Sequence, residues 1–214
     1  MKNKITITLL IGLTLFSCAD LDVSNSNAPD QQRALAKPAD VESLIRSTFL
    51  TFWQGTQLSG NSWFIATQGD ANSCSWGNWG MRELSSEPRI AHNNSPAWGY
   101  AGAADDLWYG LYAAISSAKD GLSALSSGIT LNTESDSNAD TRGKIFAKWV
   151  MGISHAMIAL HHDQGFIITE ETDFAKGTPE LSDYNAVMAA AITMLEGVIS
   201  EANANSSVSI PEDW

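Results

Sequence analysis

A chain of 214 residues with 44% hydrophobic residues is long and apolar enough for one globular domain with its own core, which excludes a disordered chain. Lys and Arg number 12 against 24 Asp and Glu, and the net charge of −12 repels phosphate backbones, so nucleic acid is excluded as a partner. The two cysteines, Cys18 and Cys74, offer no disulfide framework, because the first sits at the end of a leader.

Residues 1–17 read as a signal peptide. Lys2 and Lys4 precede an apolar run, Ile5 to Phe16, too short for a transmembrane helix with its flanks. Leu15-Phe16-Ser17-Cys18 resembles the lipobox of bacterial lipoproteins, in which the cysteine is lipidated and becomes the mature N-terminus. Several acyl chains, at roughly 0.8 kcal/mol per buried methylene, give a durable membrane anchor. Residues 18–37 are rich in Asn, Ser and Asp and read as a polar tether. No segment after the leader approaches a continuous run of ~20 apolar residues.

Residues 38–214 read as an all-α domain with four long helices. The first runs from Pro38 to Trp53: proline suits a first turn, Asp40 and Glu42 suit the positive helix end, and Val41, Leu44, Ile45, Phe49 and Phe52 recur at helical spacing. A long polar segment, 54–101, follows. It places Trp63, Trp76, Trp79, Trp98 and Tyr100 among Gly, Asn and Ser, with room for a short helix near Trp63 to Gln68. The second helix spans Ala103 to Ser126, with Leu107, Leu111, Ile115, Leu122 and Leu125 on one face and Gly128 as its stop. The third spans Thr141 to Asp163, with Trp149, Val150, Ile153, Met157 and Leu160 as its stripe, and a short extended piece follows at 166–169. The fourth runs from Asp183 to Ala202, with Ser182 as N-cap and Val187, Ala191, Met194, Leu195, Val198 and Ile199 inward. Amphipathic helices with modest connections predict an array of antiparallel helix pairs.

Most candidate chemistry is absent. The histidines do not form a His-Glu-x-x-His metal pair, and His161-His162-Asp163 at a helix end suit the negative helix terminus instead of a metal. Asp136, Asn138 and Asp140 mimic a calcium loop, but Thr141 and Ala147 replace its Gly and Glu, so a solvated loop is expected. No nucleophile elbow, phosphate loop or dinucleotide fingerprint occurs, and no cofactor or catalytic residue is assigned. The tryptophans stand out. Trp108 and Trp149 lie on helical stripes and read as core. Trp76, Trp79 and Trp98, with Asp70, Asn78 and Arg82 near them in sequence, are the candidate ligand-binding residues, because a ring face with polar neighbours stacks on a sugar and bonds its hydroxyls.

Three stretches together resemble one family. LWYGLYAAISSAKDGLSAL (107–125), AKWVMGISHAMIALHHDQGFIITEETDF (147–174) and LSDYNAVMAAAITMLEGVISEA (181–202) are similar, in this order, to successive helices of the SusD/RagB nutrient-binding lipoproteins, and the lipobox and tether fit the family's start. Lys119, Phe146 and Gly165-Phe166-Ile167 depart from the family's usual residues. The resemblance implies a tetratricopeptide-like scaffold with a long Trp-rich loop, corresponding to the N-terminal part of a longer family member whose C-terminal half is missing here. It also implies a surface-exposed protein, lipid-anchored in the outer membrane, that binds a glycan or other nutrient and delivers it to a TonB-dependent, SusC-like transporter, without enzymatic activity. Two other classes stay open: a secreted surface glycoside hydrolase, which needs a carboxylate pair in a cleft, and a helical-repeat scaffold that binds only protein.

Overall fold

The computed structural model describes residues 35–57, 66–67, 69–73, 80–85, 95, 97–99, 101–212 and 214, which fall within one unit, Ala34–Trp214. The elements are α1 (Pro38–Gln57), a one-turn α2 (Met81–Leu84), α3 (Gly102–Ser126), α4 (Ala139–His161), β1 (Gln164–Phe166), β2 (Leu181–Asp183) and α5 (Tyr184–Ala204). The protein is thus mostly helical, as its periodicity predicts. The two strands form a short antiparallel ribbon in which Gly165 pairs with Ser182.

Each long helix runs against its neighbour, as the contacts between them show. Ile45 near the start of α1 lies on Gly121 near the end of α3, while Gly55 near the end of α1 lies on Gly110. Trp108 on α3 meets His162 just past α4. On α4, Gly152 packs under Leu195 of α5, and Lys148 reaches Glu201. Three antiparallel pairings follow: α1 with α3, α3 with α4, and α4 with α5. Helix α4 is central, since α1 also lies along it with Phe49 stacked on Trp149 at 5.2 Å. That position explains why α4 buries residues around much of its circumference, including Ile145, Val150, Met151, Ser154, His155 and Ile158.

The core collects the predicted stripe residues Val41, Ile45, Leu107, Leu111, Ile115, Leu122, Leu125, Val150 and Val187. Trp108 and Trp149 are half-buried and pack against it, in keeping with their expected structural role. Helix α3 ends where Gly128 predicts. Gly128 has φ 101°, its amide donates to Leu125 O, and the Ile129 amide donates to Ala124 O, which makes a Schellman cap.

Several expectations need correction. Helix α1 continues past Trp53 to Gln57, because Gly55 is not a stop. It lies in the close crossing with Gly110, and the Thr56 hydroxyl bonds back to Phe52 O. The cap of α5 is Asp183 and not Ser182: the Asp183 carboxylate accepts from the amides of Asn185 and Ala186, while Ser182 is used in the β2 ladder. Leu160 and Ile199, predicted inward, are 66% and 60% exposed. Leu160 lies in the last turn of α4, about 200° around the helix from the buried Ile158, and so turns away from the core. Ile199 belongs, with the exposed Ile192, to a second apolar stripe on α5, about 100° around from the buried Ala191 and Val198. Helix α5 is the one described helix long and apolar enough in composition to cross a membrane. In the fold it lies on α4 with one face.

Candidate functional site

The segment between α1 and α3 is described in pieces. Residues Ala66 and Thr67 form a helical turn that closes through Asp70, whose φ of 62° is the left-handed conformation an Asp tolerates in turns. The Ala71 amide donates to Ala66 O at 2.9 Å. The Thr67 hydroxyl donates to Met81 Sδ at 3.4 Å, and both residues are buried. This contact joins the turn bearing exposed Asp70 to α2, which bears exposed Arg82. Two of the sequence-selected polar residues thus lie on segments that meet at one point. Trp98 is half-buried in a turn leading into α3: its amide donates to Ser95 O at 2.9 Å, and its carbonyl accepts from Ala101 at 3.1 Å. Cys18, Cys74, Trp63, Trp76, Asn78 and Trp79 lie outside the described residues.

The other polar motifs resolve into structural roles. His155 is buried, its Nδ1–H donating to Met151 O at 2.7 Å and its Nε2 accepting from the Ile168 amide at 3.0 Å. These partners fix the tautomer. Burial holds His155 below the ordinary histidine range, against the opposing pull of the Met151 bond. His161 bonds Met157 O in its own helix, and His162 meets the Trp108 ring edge-on. Among the described residues, no three His, Cys, Asp or Glu side chains gather as a metal site.

The calcium-like loop uses its acids for its own backbone. Asp140 accepts from Thr130 Oγ1 and from the Leu131 amide. Asp136 accepts from the Asn138 amide and pairs with Arg142 at 2.7 Å. The Arg142 hydrogen bond, then the Asn138 amide, hold the Asp136 carboxyl below its usual range.

A different cavity forms where sequence reasoning placed no ligand. Ser43, Arg46, Ser47, Leu50 and Trp53 recur at three- and four-residue spacing along the outer face of α1, and Trp214 stands across from them around a cavity of about 500 Å³. Trp53 is 47% exposed. The rings behind it are continuous: Phe49 lies 6.4 Å from Trp53 and 5.2 Å from Trp149, Phe146 lies 5.6 Å from Trp149, and Trp214 meets Phe146 edge-on at 5.2 Å. The Arg142 guanidinium lies 5.2 Å from the Trp214 ring. A second cavity of about 430 Å³, lined by Phe49, Ile145, Trp149, Val198, Ile210 and Trp214, adjoins the first. In sequence, Trp53 sits at the end of an apolar stripe and Trp214 is an isolated terminal residue. The signal available was the Ser43, Arg46, Ser47, Leu50, Trp53 spacing, which marks one helix face. It is outweighed there by the stronger Trp cluster downstream.

No family model matches the chain, and no curated protein or solved structure does either.

Proposed function

We propose that the protein is a surface-exposed, lipid-anchored nutrient-binding protein of the outer membrane that hands a glycan or other nutrient to a TonB-dependent transporter, without chemistry of its own. One observation carries the reading: the helices occur in the order and at the positions where the sequence resembles SusD/RagB lipoproteins, and each pairs antiparallel with its neighbour. That up-and-down order is compatible with a tetratricopeptide-like array and with a Trp-rich ligand segment inserted between α1 and α3. The aromatic surface suits the role, since rings with polar neighbours bind sugars by stacking and hydroxyl bonding.

The test begins with attachment. Lipid on Cys18 puts the mature protein in the outer-membrane fraction and attaches acyl groups visible by mass spectrometry. Cys18→Ala releases the protein or leaves the leader uncleaved. Cross-linking in cells then captures a TonB-dependent transporter with the parent. A Cys18→Ala variant that fractionates like the parent, with no acyl mass on either, removes the lipoprotein reading.

A further inference from the structure

The cavity beside the Trp53 face differs from it in chemistry. It measures about 430 Å³, within the range of roughly 300–1,000 Å³ typical of small-ligand pockets. Phe49 of α1, Val198 of α5 and, on α4, Ile145, Phe146 and Trp149 wall it, and Ile210 and Trp214 beyond α5 complete it. Each of these side chains is aliphatic or aromatic. Hydroxyls or charges on a ligand would lose water here and find no charged or hydroxyl side chain in the described lining. A sugar or an ion is therefore a poor occupant, and an apolar body a good one. Size narrows the class. An apolar cavity of about 150 Å³ accepts benzene, a ring of six carbons. By that measure a cavity of about 430 Å³ takes on the order of 12–16 carbons, which suits a flexible acyl chain better than a single ring.

A polar group stands next to these walls. Arg142, Ile145, Phe146 and Trp149 follow one another at three- and four-residue spacing and so share one face of α4. Arg142 is only 9% exposed, and its guanidinium lies 5.2 Å from the ring of Trp214, a wall of the cavity. Asp136 pairs with its Nη2 at 2.7 Å and meets its charge. Its Nε–H is buried and has no acceptor among the described residues, a state that folded proteins rarely leave unexplained. The acceptor that suits it is uncharged. A carboxylate at Nε would stand beside the Asp136 carboxylate and be repelled, whereas an ester or amide carbonyl would not. Trp214 can make way for it. The backbone bonds of its segment stay local, from the Val208 amide to Asn205 O and from the Trp214 amide to Pro211 O, and the ring rests on Phe146 and Arg142.

We propose that this cavity binds one fatty acyl chain in its apolar walls, and that the chain's ester or amide carbonyl accepts from Arg142 Nε as the Trp214 ring shifts aside. The occupant is a single acyl ester and not a bilayer surface, because the walls come from three helices and the segment after them. The site uses none of the loop tryptophans and stands apart from the nutrient-binding reading.

The experiment is photolabelling of the full chain in a steroid detergent, which has no acyl chain, by methyl dodecanoate carrying a diazirine at its chain end. Mass spectrometry then finds the label on the peptides that hold residues 145–149 and 198–214, and excess plain methyl dodecanoate removes it. Dodecane and, at pH 7.5, dodecanoate compete roughly tenfold less well, since neither satisfies the Nε–H without a penalty. Ile210 is 46% exposed, so Ile210→Trp fills the cavity from its open side, keeps the parent's unfolding midpoint and loses most of the label. Arg142→Lys keeps a cation for Asp136 but has no Nε–H, and in it dodecane competes as well as the ester. Label spread over exposed apolar residues such as Ile192 and Ile199, or label undiminished in Ile210→Trp, overturns the site. Dodecane that matches the ester on the parent overturns the acyl assignment.

Discussion

Substituting Gly110 by alanine sets two physical effects against each other. On helix propensity alone, alanine is better than glycine by roughly 0.8–1.0 kcal/mol in a helix interior, so the variant would gain stability. The crossing of α1 and α3 predicts the opposite sign. A Cβ on residue 110 falls 2.5 Å from the Cα of Gly55, and one on residue 55 falls 2.8 Å from the Cα of Gly110. Carbon atoms rest at about 3.5–4.0 Å, so the two helices must part by about 1 Å. Both obstructing atoms are backbone, and no rotamer change relieves them. Parting the helices also loosens the contacts of Leu107 and Leu111, which flank Gly110 on α3 and are almost fully buried. Overpacking of this kind costs about 1–3 kcal/mol, and the backbone obstruction puts it at the upper end. Net of the propensity gain, Gly110→Ala loses about 1–2 kcal/mol. At roughly 2–4 °C per kcal/mol for a domain of this size, the melting temperature falls by about 2–8 °C. Gly197 supplies the control. It is exposed on α5 with nothing within 4 Å of its would-be Cβ, so Gly197→Ala raises stability by up to about 1 kcal/mol. Thermal and urea unfolding of the three proteins decide the matter. A Gly110→Ala variant that melts at or above the parent would refute the close crossing and the helix arrangement built on it.

Two further variants test the ties on the segment after α4. His155→Leu strands the Ile168 amide and costs about 1–3 kcal/mol at pH 8. Because burial lowers the folded-state pKa of His155 below its unfolded value of about 6.5, its contribution is complete above that pH and is lost as pH falls towards the folded value. The gap between parent and variant therefore narrows from pH 8 to pH 5.5 in urea titrations, and parallel curves would contradict the buried neutral imidazole. Tyr112→Phe removes a hydroxyl that accepts from the Phe166 amide at 2.6 Å and donates to the Phe166 carbonyl at 3.2 Å, so it costs about 1–3 kcal/mol and speeds exchange of that amide. Burial pushes the Tyr112 phenol up to about 12, so the parent keeps this stability below pH of about 10 and loses it as pH rises towards 12, whereas the variant shows no such loss.

What was legible in the sequence was the set of helices and most of the face each one buries. Leu107, Leu111, Ile115, Leu122 and Leu125 recur along one face, and all are buried. Periodicity fails where it meets tertiary choices. On α5 two apolar stripes lie side by side, and nothing in their spacing says that Val187 and Val198 face α4 while Ile199 faces away. Glycines within helices read as weak points, yet Gly55 and Gly110 let two helix backbones meet, and Gly152 makes room for the Leu195 side chain. That property belongs to the pair of surfaces, and one helix's letters do not contain it. The choice between Ser182 and Asp183 as cap turned on a strand pairing with residues 164–166, which a local reading of the helix start does not include. Of the candidate ligand residues, Asp70 and Arg82 occupy segments that meet through Thr67 and Met81. The Trp53 cavity was hidden because Trp214 reaches it from a distance of 161 positions along the chain.

The tethers at Phe166 and Ile168 also govern how the helices can move. Alternate residues of one short segment are held, the first by α3 through Tyr112 and the second by α4 through His155. The root of α5 is moored as well, since β2 pairs with β1 and the Tyr184 amide donates to Asp163 O at 2.9 Å. The junction of α4 and α5 is therefore a poor hinge. Swinging α5 about it would break several hydrogen bonds together. The far end of α5 is held by looser means, a Lys148 ammonium 3.5 Å from Glu170 and 3.6 Å from Glu201, on partly exposed side chains. Helix α5 is thus fixed at its root by backbone bonds, along its length by Leu195 over Gly152 and by the buried Val198, and near its tip by one cation. Salt, which screens that last pair, loosens the final turn before the rest.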